Sequence, residues 1–174
     1  MYLTQFKMTA QPFCERASLE QILKDERIQE GLARLSYFIE CSTIAMLTGP
    51  TGVGKSTLLK LFFHTLSSNR YCPVYLHFTS MKNTSLLKLI ASRLGEVPKL
   101  SKERVIGQIL EKTQNSEVMT VVAIDESHLL ESESLTDLRL LVSSALDDNP
   151  PFKLLLVGQD SLRQQLKRNK HCDL

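Results

Sequence analysis

The sequence predicts an α/β fold in which helices flank a mostly parallel β-sheet. Short apolar runs rich in β-branched residues alternate along the chain with longer segments of helical periodicity, a pattern typical of parallel sheets with crossover helices. The length of 174 residues and the hydrophobic share of 43% suit one domain with a full core. We expect a helical segment over residues 1–40 and the core of the same domain over residues 41–174.

The composition indicates neither a strongly charged surface nor a cysteine-rich metal site. The formal net charge is +2, which leaves only a local basic face as a possible contact for nucleic acid. The N-terminus has no signal-peptide pattern, and no apolar run approaches the ~20 residues that cross a bilayer. We therefore expect a soluble cytoplasmic protein whose cysteines are reduced and lack C-x-x-C spacing, namely Cys14, Cys41, Cys72 and Cys172.

The first half of the chain predicts two helices and two strands. Ile28, Leu32, Leu35 and Ile39 recur at helical spacing and indicate an amphipathic helical region over residues 18–40. Residues 43–48 form a short apolar run that predicts a buried strand. A second helix is expected over residues 55–67, and a second strand over residues 73–78.

The second half of the chain continues the alternation. A helix is expected to end at Gly95, and Ser101 is expected to cap the next helix, which runs to about residue 114. Residues 118–124 are the most strand-like segment. Ser134 and Asp137 have capping-box spacing ahead of a further helix, and a strand over residues 152–157 precedes a basic helix that starts near residue 160.

Residues 49–56 read Gly-Pro-Thr-Gly-Val-Gly-Lys-Ser and match the phosphate-binding pattern G-x-x-x-x-G-K-[ST] completely. Glycines let the backbone N–H groups wrap a phosphate chain, and the following helix directs its positive end at the anion. The lysine is expected to reach the β- and γ-phosphates of ATP, and the serine hydroxyl to bind Mg²⁺. The predicted ATP-binding residues are Gly49, Pro50, Thr51, Gly52, Val53, Gly54, Lys55, Ser56 and Thr57.

Two carboxylates follow the strand over residues 118–124. Asp125 is expected to hold Mg²⁺ together with Ser56, directly or through water, and Glu126 to orient and deprotonate the attacking water. The second acid distinguishes hydrolytic NTPases from many kinases, which need no base for water. The alternative interpretation is a buried strand that ends in two solvated acids.

Gln159 follows the last apolar strand and Gly158. If this strand pairs with the strand before the phosphate loop, Gln159 approaches the γ-phosphate and senses it. Together with Lys55 and Glu126 it completes the predicted catalytic set. The alternative is a simple turn with Gln159 in solvent.

Other polar residues carry weaker signals. Thr79 and Ser80 end the second strand at the edge where ligands bind in open α/β folds, but a polar loop is the favoured interpretation. His128 gives residues 125–128 a superficial likeness to a helicase motif, although such helicases need a second motor domain. For the basic residues we favour an ordinary solvated surface: Lys82, Lys88, Arg163, Lys167, Arg168 and Lys170.

These motifs together resemble AAA+ P-loop ATPases of the ExeA type (general secretion pathway protein A), a group that includes transposition accessory and target-selection ATPases. The resemblance spans nearly the whole chain. Its phosphate loop and acidic pair are generic, whereas the motif around Gln159 is more particular to this group. It is carried by Met1-Tyr2, Gln11-Pro12-Phe13, residues 31–35, the phosphate loop, Ile124-Asp125-Glu126, Val157-Gly158-Gln159 and Leu162-Arg163.

The resemblance implies an AAA+ core that hydrolyses ATP with Mg²⁺ in a homo-oligomer, where a neighbour's arginine completes each site. Residues 1–40 would contribute to the nucleotide pocket. In the group an arginine finger, a fifth strand and a helical lid follow the position of His171-Cys172-Asp173-Leu174. The resemblance thus implies a core truncated before these elements and weakly active alone.

The biological role has one leading hypothesis and two alternatives. Residues 14–27 depart from the secretion-type pattern and favour a transposition protein that assembles on double-stranded DNA with ATP and recruits a transposase. The first alternative is a secretion-assembly ATPase. The second is a nucleotide-binding switch in which Glu126 is idle for want of a partner arginine.

Overall fold

The computed structural model describes residues 2–8, 19, 22–78, 83–143 and 152–168. Its helices are α1 (Tyr2–Gln5), α2 (Glu26–Cys41), α3 (Lys55–Thr65), α4 (Asn83–Arg93), α5 (Lys102–Gln114), α6 (Ser132–Ser143) and α7 (Asp160–Arg168). Its strands are β1 (Ile44–Thr48), β2 (Tyr71–His77), β3 (Met119–Asp125) and β4 (Lys153–Gly158), and a 3-10 turn spans Ser127–Leu129. Within these residues no helix is long and apolar enough to cross a membrane.

The four strands form one parallel sheet in the order β1-β4-β3-β2, which confirms the predicted fold class. The register aligns the carboxyl ends, because Thr48 pairs with Gly158 across β1 and β4, and His77 pairs with Asp125 across β2 and β3. The residues that follow β1, β3 and β4 therefore meet at one edge of the sheet, where open α/β folds bind ligands.

The core lies on both faces of the sheet. Residues alternate along β3, so that Val122 and Ile124 pack with α4, α5 and α6, whereas Val121 and Ala123 pack with α2 and α3. All four side chains are fully buried, which explains the continuous apolar run that predicted this strand. Leu59 and Phe62 anchor α3 to the second face and so fix the helix that follows the phosphate loop.

The predicted helix over residues 18–40 was wrong at its start. The helix begins at Glu26, because the Asp25 carboxylate caps it by accepting a hydrogen bond from the Ile28 backbone N–H at 2.9 Å. Residues 22–25 are not helical. The apolar periodicity that motivated the prediction starts only at Ile28.

The capping box predicted at Ser134 and Asp137 was also wrong. Helix α6 begins at Ser132, so both residues lie inside the helix and are buried. The Asp137 carboxylate instead pairs with Lys102 of α5, with 2.8 Å between Oδ2 and Nζ. Asp137 therefore makes a tertiary contact between α5 and α6, and it does not cap the start of α6 as its spacing from Ser134 predicted.

The other boundaries follow the predictions closely. Gly95 has a φ of +84° and ends α4, and the Glu96 N–H donates to the Ala91 carbonyl at 3.0 Å. The Ser101 hydroxyl accepts from the Arg104 N–H at the start of α5. Each strand lies within two residues of its predicted position.

Candidate nucleotide-binding site

The glycine-rich loop joins β1 to α3 at the carboxyl edge of the sheet. Gly52 and Gly54 have φ values of +84° and +92°, a left-handed conformation that side-chain-bearing residues adopt at a cost. Gly54 is the N-cap of α3 and supplies no side-chain cap, so the first N–H groups of the helix open toward the loop. This geometry is that of an anion-binding nest at a helix N-terminus.

Lys55 places a positive charge over this loop. Its ammonium donates hydrogen bonds to the carbonyls of Gly49 and Pro50 at 2.9 and 2.8 Å. The Gly49 N–H in turn donates to the Gly158 carbonyl at 3.3 Å, which ties the start of the loop to the end of β4. The loop therefore combines open N–H groups, the helix dipole and an ammonium group, all of which favour a phosphate.

Ser56 and Asp125 meet as the sequence predicts. The Ser56 hydroxyl donates to Asp125 Oδ2 at 2.9 Å, and the carboxylate is buried, with 2% of the residue exposed. The Glu126 backbone N–H donates to the other carboxylate oxygen at 2.9 Å. The described residues hold no cluster of three or more His, Cys, Asp or Glu side chains around a metal position. A hydroxyl and one carboxylate still fit Mg²⁺, which in nucleotide sites takes few protein ligands and completes its shell with phosphate oxygens and water.

Tyr75 joins this pair, a contact that sequence reasoning missed. Its hydroxyl donates to Asp125 Oδ2 at 3.0 Å, although the ring is partly exposed on edge strand β2. Burial, and then the hydrogen bond to Asp125, raise the pKa of Tyr75 to about 12, so the hydroxyl remains a donor at physiological pH. The available signal was parity: Tyr75 lies two residues before the strand end, on the same face as Asp125.

Glu126 lies at the end of β3 in a left-handed conformation with φ of 57°. Its side chain is partly exposed and reaches His128, with 3.3 Å between Oε2 and Nδ1. This backbone turn directs the carboxylate away from the core, at the carboxyl edge of the sheet. His128, whose only sequence signal is a superficial likeness to a helicase motif, is therefore part of the site.

Gln159 lies beside the phosphate loop. Its side-chain amide donates to the Thr51 hydroxyl at 3.3 Å, and its strand β4 pairs with β1, as the sequence prediction required. The residue is half-buried. The structure thus brings together five of the predicted residues: Thr51, Lys55, Ser56, Asp125 and Gln159, with Glu126 at the same edge.

The remaining predicted residues fall into three groups. Val53 is exposed at the tip of the loop, and Thr57 is half-buried in the first turn of α3. Thr79, Ser80, Lys82, Lys170 and residues 171–174 lie outside the described residues. Lys88 lies on α4, and Arg163 and Lys167 are exposed on α7.

The parallel sheet, the glycine loop after β1 and the acid after β3 define the P-loop class of α/β proteins. The family model for the AAA domain matches residues 40–166. Because this match covers most of the chain, the protein belongs to the AAA domain family. A search of curated proteins found no match to the chain.

Solved structures share this fold at low sequence identity. Cdc6p from Pyrobaculum aerophilum is 18% identical, with a TM-score of 0.66 over 88% of this chain and 43% of that chain. Aeropyrum pernix ORC2, in its ADPNP-ADP complexes, is 15% identical, with a TM-score of 0.66 over 92% and 48%. Aeropyrum pernix ORC1, in complex with DNA, is 16% identical, with a TM-score of 0.65 over 85% and 44%. The chain spans less than half the length of each of these proteins and resembles their AAA+ fold.

Proposed function

We propose that this protein binds ATP with Mg²⁺ at residues 49–57 and hydrolyses it to ADP and phosphate. The observation that carries the proposal is that polar side chains from separate strand ends meet at the phosphate loop. The ends of three separate strands bring Lys55, the Ser56–Asp125 pair and Gln159 to the same edge of the sheet. A simple glycine turn has no need of a buried carboxylate or of a polar amide from a third strand.

Each residue has a defined task in this proposal. The loop N–H groups and Lys55 bind the phosphates, and Ser56 and Asp125 hold Mg²⁺, which neutralises charge on the phosphate oxygens when it is bound. Glu126 accepts a proton from the attacking water. Gln159 donates its amide hydrogen to the γ-phosphate, in place of its present contact with Thr51.

The test separates binding from turnover. Glu126→Gln should bind ATP as tightly as the wild-type protein and lose about 100-fold or more in ADP formation, the range for removal of a general base. Glu131→Gln is the matched control, because Glu131 is an exposed acid just beyond the 3-10 turn. An unchanged rate in Glu126→Gln would reject Glu126 as the base and favour a nucleotide-binding switch.

The proposed biological role is an ATP-dependent oligomer on double-stranded DNA that recruits a transposase. Three observations support it: the resemblance to transposition ATPases, the exposed cations Arg163 and Lys167 on α7, and the DNA complex of Aeropyrum pernix ORC1. Cations on one helix face favour phosphate backbones without base readout. The proposal therefore expects weak sequence preference and strong salt dependence.

Fluorescence anisotropy of labelled duplex DNA tests this role. Binding should require ATP, be absent with ADP, and be lost in Lys55→Ala. The double variant Arg163→Ala/Lys167→Ala should weaken binding and reduce its dependence on salt. No binding under any nucleotide at low salt would end the DNA proposal and favour a secretion-assembly ATPase.

A further inference from the structure

His128 lies between the ends of β3 and β4. The 3-10 turn that follows Glu126 carries it back over the sheet edge, where its side chain is largely buried, with 13% exposed. One nitrogen of the ring, Nδ1, lies 3.3 Å from Glu126 Oε2 and 3.5 Å from the backbone nitrogen of Gln159. The same atom therefore touches the acid after β3 and the residue after β4.

The chemistry of imidazole makes these two contacts different in kind. When Nδ1 carries a hydrogen it donates to the Glu126 carboxylate, and when it lacks one it accepts from the Gln159 N–H. The distance to Glu126 is the shorter of the two, and a hydrogen bond to a carboxylate is the stronger type. The donor form thus suits this site best.

Gly158 shows how closely the two strand ends approach. A Cβ atom at this position would lie 3.1 Å from the His128 backbone nitrogen and 3.4 Å from Nδ1. A side chain at this position would press on the 3-10 turn, so the ring and its backbone lie against the end of β4. The position of His128 is therefore fixed by packing and does not depend on its contact with Glu126 alone.

Glu126 needs such a constraint. Its φ of 57° is uncommon for a residue with a side chain, and its carboxylate is partly exposed beyond the core. The Leu129 N–H donates to the Glu126 carbonyl at 3.0 Å, and this hydrogen bond stabilises the backbone turn. The Glu126 side chain is held by its contact with His128 Nδ1.

We propose that His128 is a positioning residue for the reaction. It donates through Nδ1–H to one oxygen of Glu126 and leaves the other oxygen free for the attacking water. Its packing against Gly158 couples the acid to the strand end that carries Gln159. The inference rests on the proposed ATPase function and adds a residue to it. A displacement of β4 on nucleotide binding would move His128 and, with it, Glu126.

The first arm of the test measures the contact without turnover. Nitrogen-15 NMR of the histidine rings at neutral pH should show a proton on Nδ1 of His128, and the Nδ1 signal should move in Glu126→Gln, because the charged acceptor of that proton is lost. His64, exposed on α3, serves as the internal control and should not change. An Nδ1 signal that shows no attached proton, or that is unchanged in Glu126→Gln, would refute the contact and overturn the proposal.

The second arm measures positioning in the full chain. His128→Leu fills similar space without a donor and should lower kcat by about tenfold or more with KM changed less than about twofold, as expected for a group that acts on the base. His128→Asn should retain kcat within about threefold, because its side-chain amide reaches the Nδ1 position. His64→Leu is the matched surface control.

The outcomes are distinguishable. Equal losses of kcat in His128→Leu and His128→Asn would show that the ring acts by packing alone, and equal retention would show that it does nothing for the reaction; both overturn the proposal. Absence of turnover in the wild-type protein would instead refute the proposed ATPase function, and the NMR arm would still decide whether His128 holds Glu126.

Discussion

Replacing Gly107 and Gly95 by alanine should change the stability of the protein in opposite directions. Gly107 lies in the interior of α5 and is exposed, and a Cβ atom there would meet nothing within 4 Å. Gly95 is also open to solvent, but its φ of +84° lies in the left-handed region. Both sites have room for a methyl group, so backbone conformation alone decides the sign.

The magnitudes follow from that difference. At Gly107, alanine should add about 0.5–1 kcal/mol to the free energy of unfolding, since glycine in a helix interior is less favourable by that amount. At Gly95, the left-handed conformation should cost alanine about 1–2 kcal/mol, partly offset by about 0.4–1 kcal/mol from the less flexible unfolded chain. The net loss should be about 1 kcal/mol.

Thermal unfolding followed by circular dichroism measures both changes. For a chain of this size 1 kcal/mol corresponds to about 2–4 °C in Tm, so Gly107→Ala should melt a few degrees higher and Gly95→Ala a few degrees lower. Urea midpoints provide an independent check, with the slope unchanged. A shift of both variants in the same direction would refute either the assignment of α5 as a continuous helix or the left-handed conformation of Gly95 at the end of α4.

Three further predictions address the site and its support. Tyr75→Phe should remove the tyrosinate absorbance that appears near pH 12 and the loss of stability that accompanies it. The pKa of Tyr75 is raised in the folded state, so its stabilisation is full below pH 10 and is lost as the pH rises through about 12; an unchanged titration would contradict the contact with Asp125. Asp137→Asn should lower the free energy of unfolding in urea by about 1–3 kcal/mol, because it breaks a largely buried ion pair with Lys102. Its control, Glu133→Gln, alters a side chain that is 69% exposed and should cost less than about 1 kcal/mol; equal costs would count against burial as the cause. Ser56→Ala should raise the Mg²⁺ concentration for half-maximal ATP binding by about tenfold, measured by fluorescence titration, and no change would remove Ser56 from the metal site.

The parts of the site that were predictable are local in sequence. The phosphate loop needs glycines, a lysine and a hydroxyl at fixed spacing, so residues 49–57 could be recognised without any tertiary information. Asp125 and Gln159 could be predicted because each directly follows an apolar run in the sequence. The carboxyl ends of parallel strands share one edge, which places such residues together whatever the details of packing.

The parts that were missed depend on tertiary contacts. Tyr75 reaches Asp125 only because β2 and β3 pair in the observed register, and nothing in the local sequence of β2 fixes that register. His128 became important because a 3-10 turn returns it to the end of β4. Asp137 was taken for a cap because its spacing from Ser134 fits one, whereas its partner Lys102 lies on another helix.

Equilibrium binding of ATP to the protein, with and without Mg²⁺, tests the central claim most directly. A fluorescent ATP analogue should bind the wild-type protein with Mg²⁺, and Lys55→Ala should weaken binding by about tenfold or more, since it removes the ammonium group from the loop. Lys60→Ala is the matched control on the same helix, and its exposed side chain should leave affinity unchanged. Equal affinity of the Lys55→Ala and wild-type proteins, or no binding by the wild-type protein at millimolar analogue, would contradict a nucleotide site at this loop.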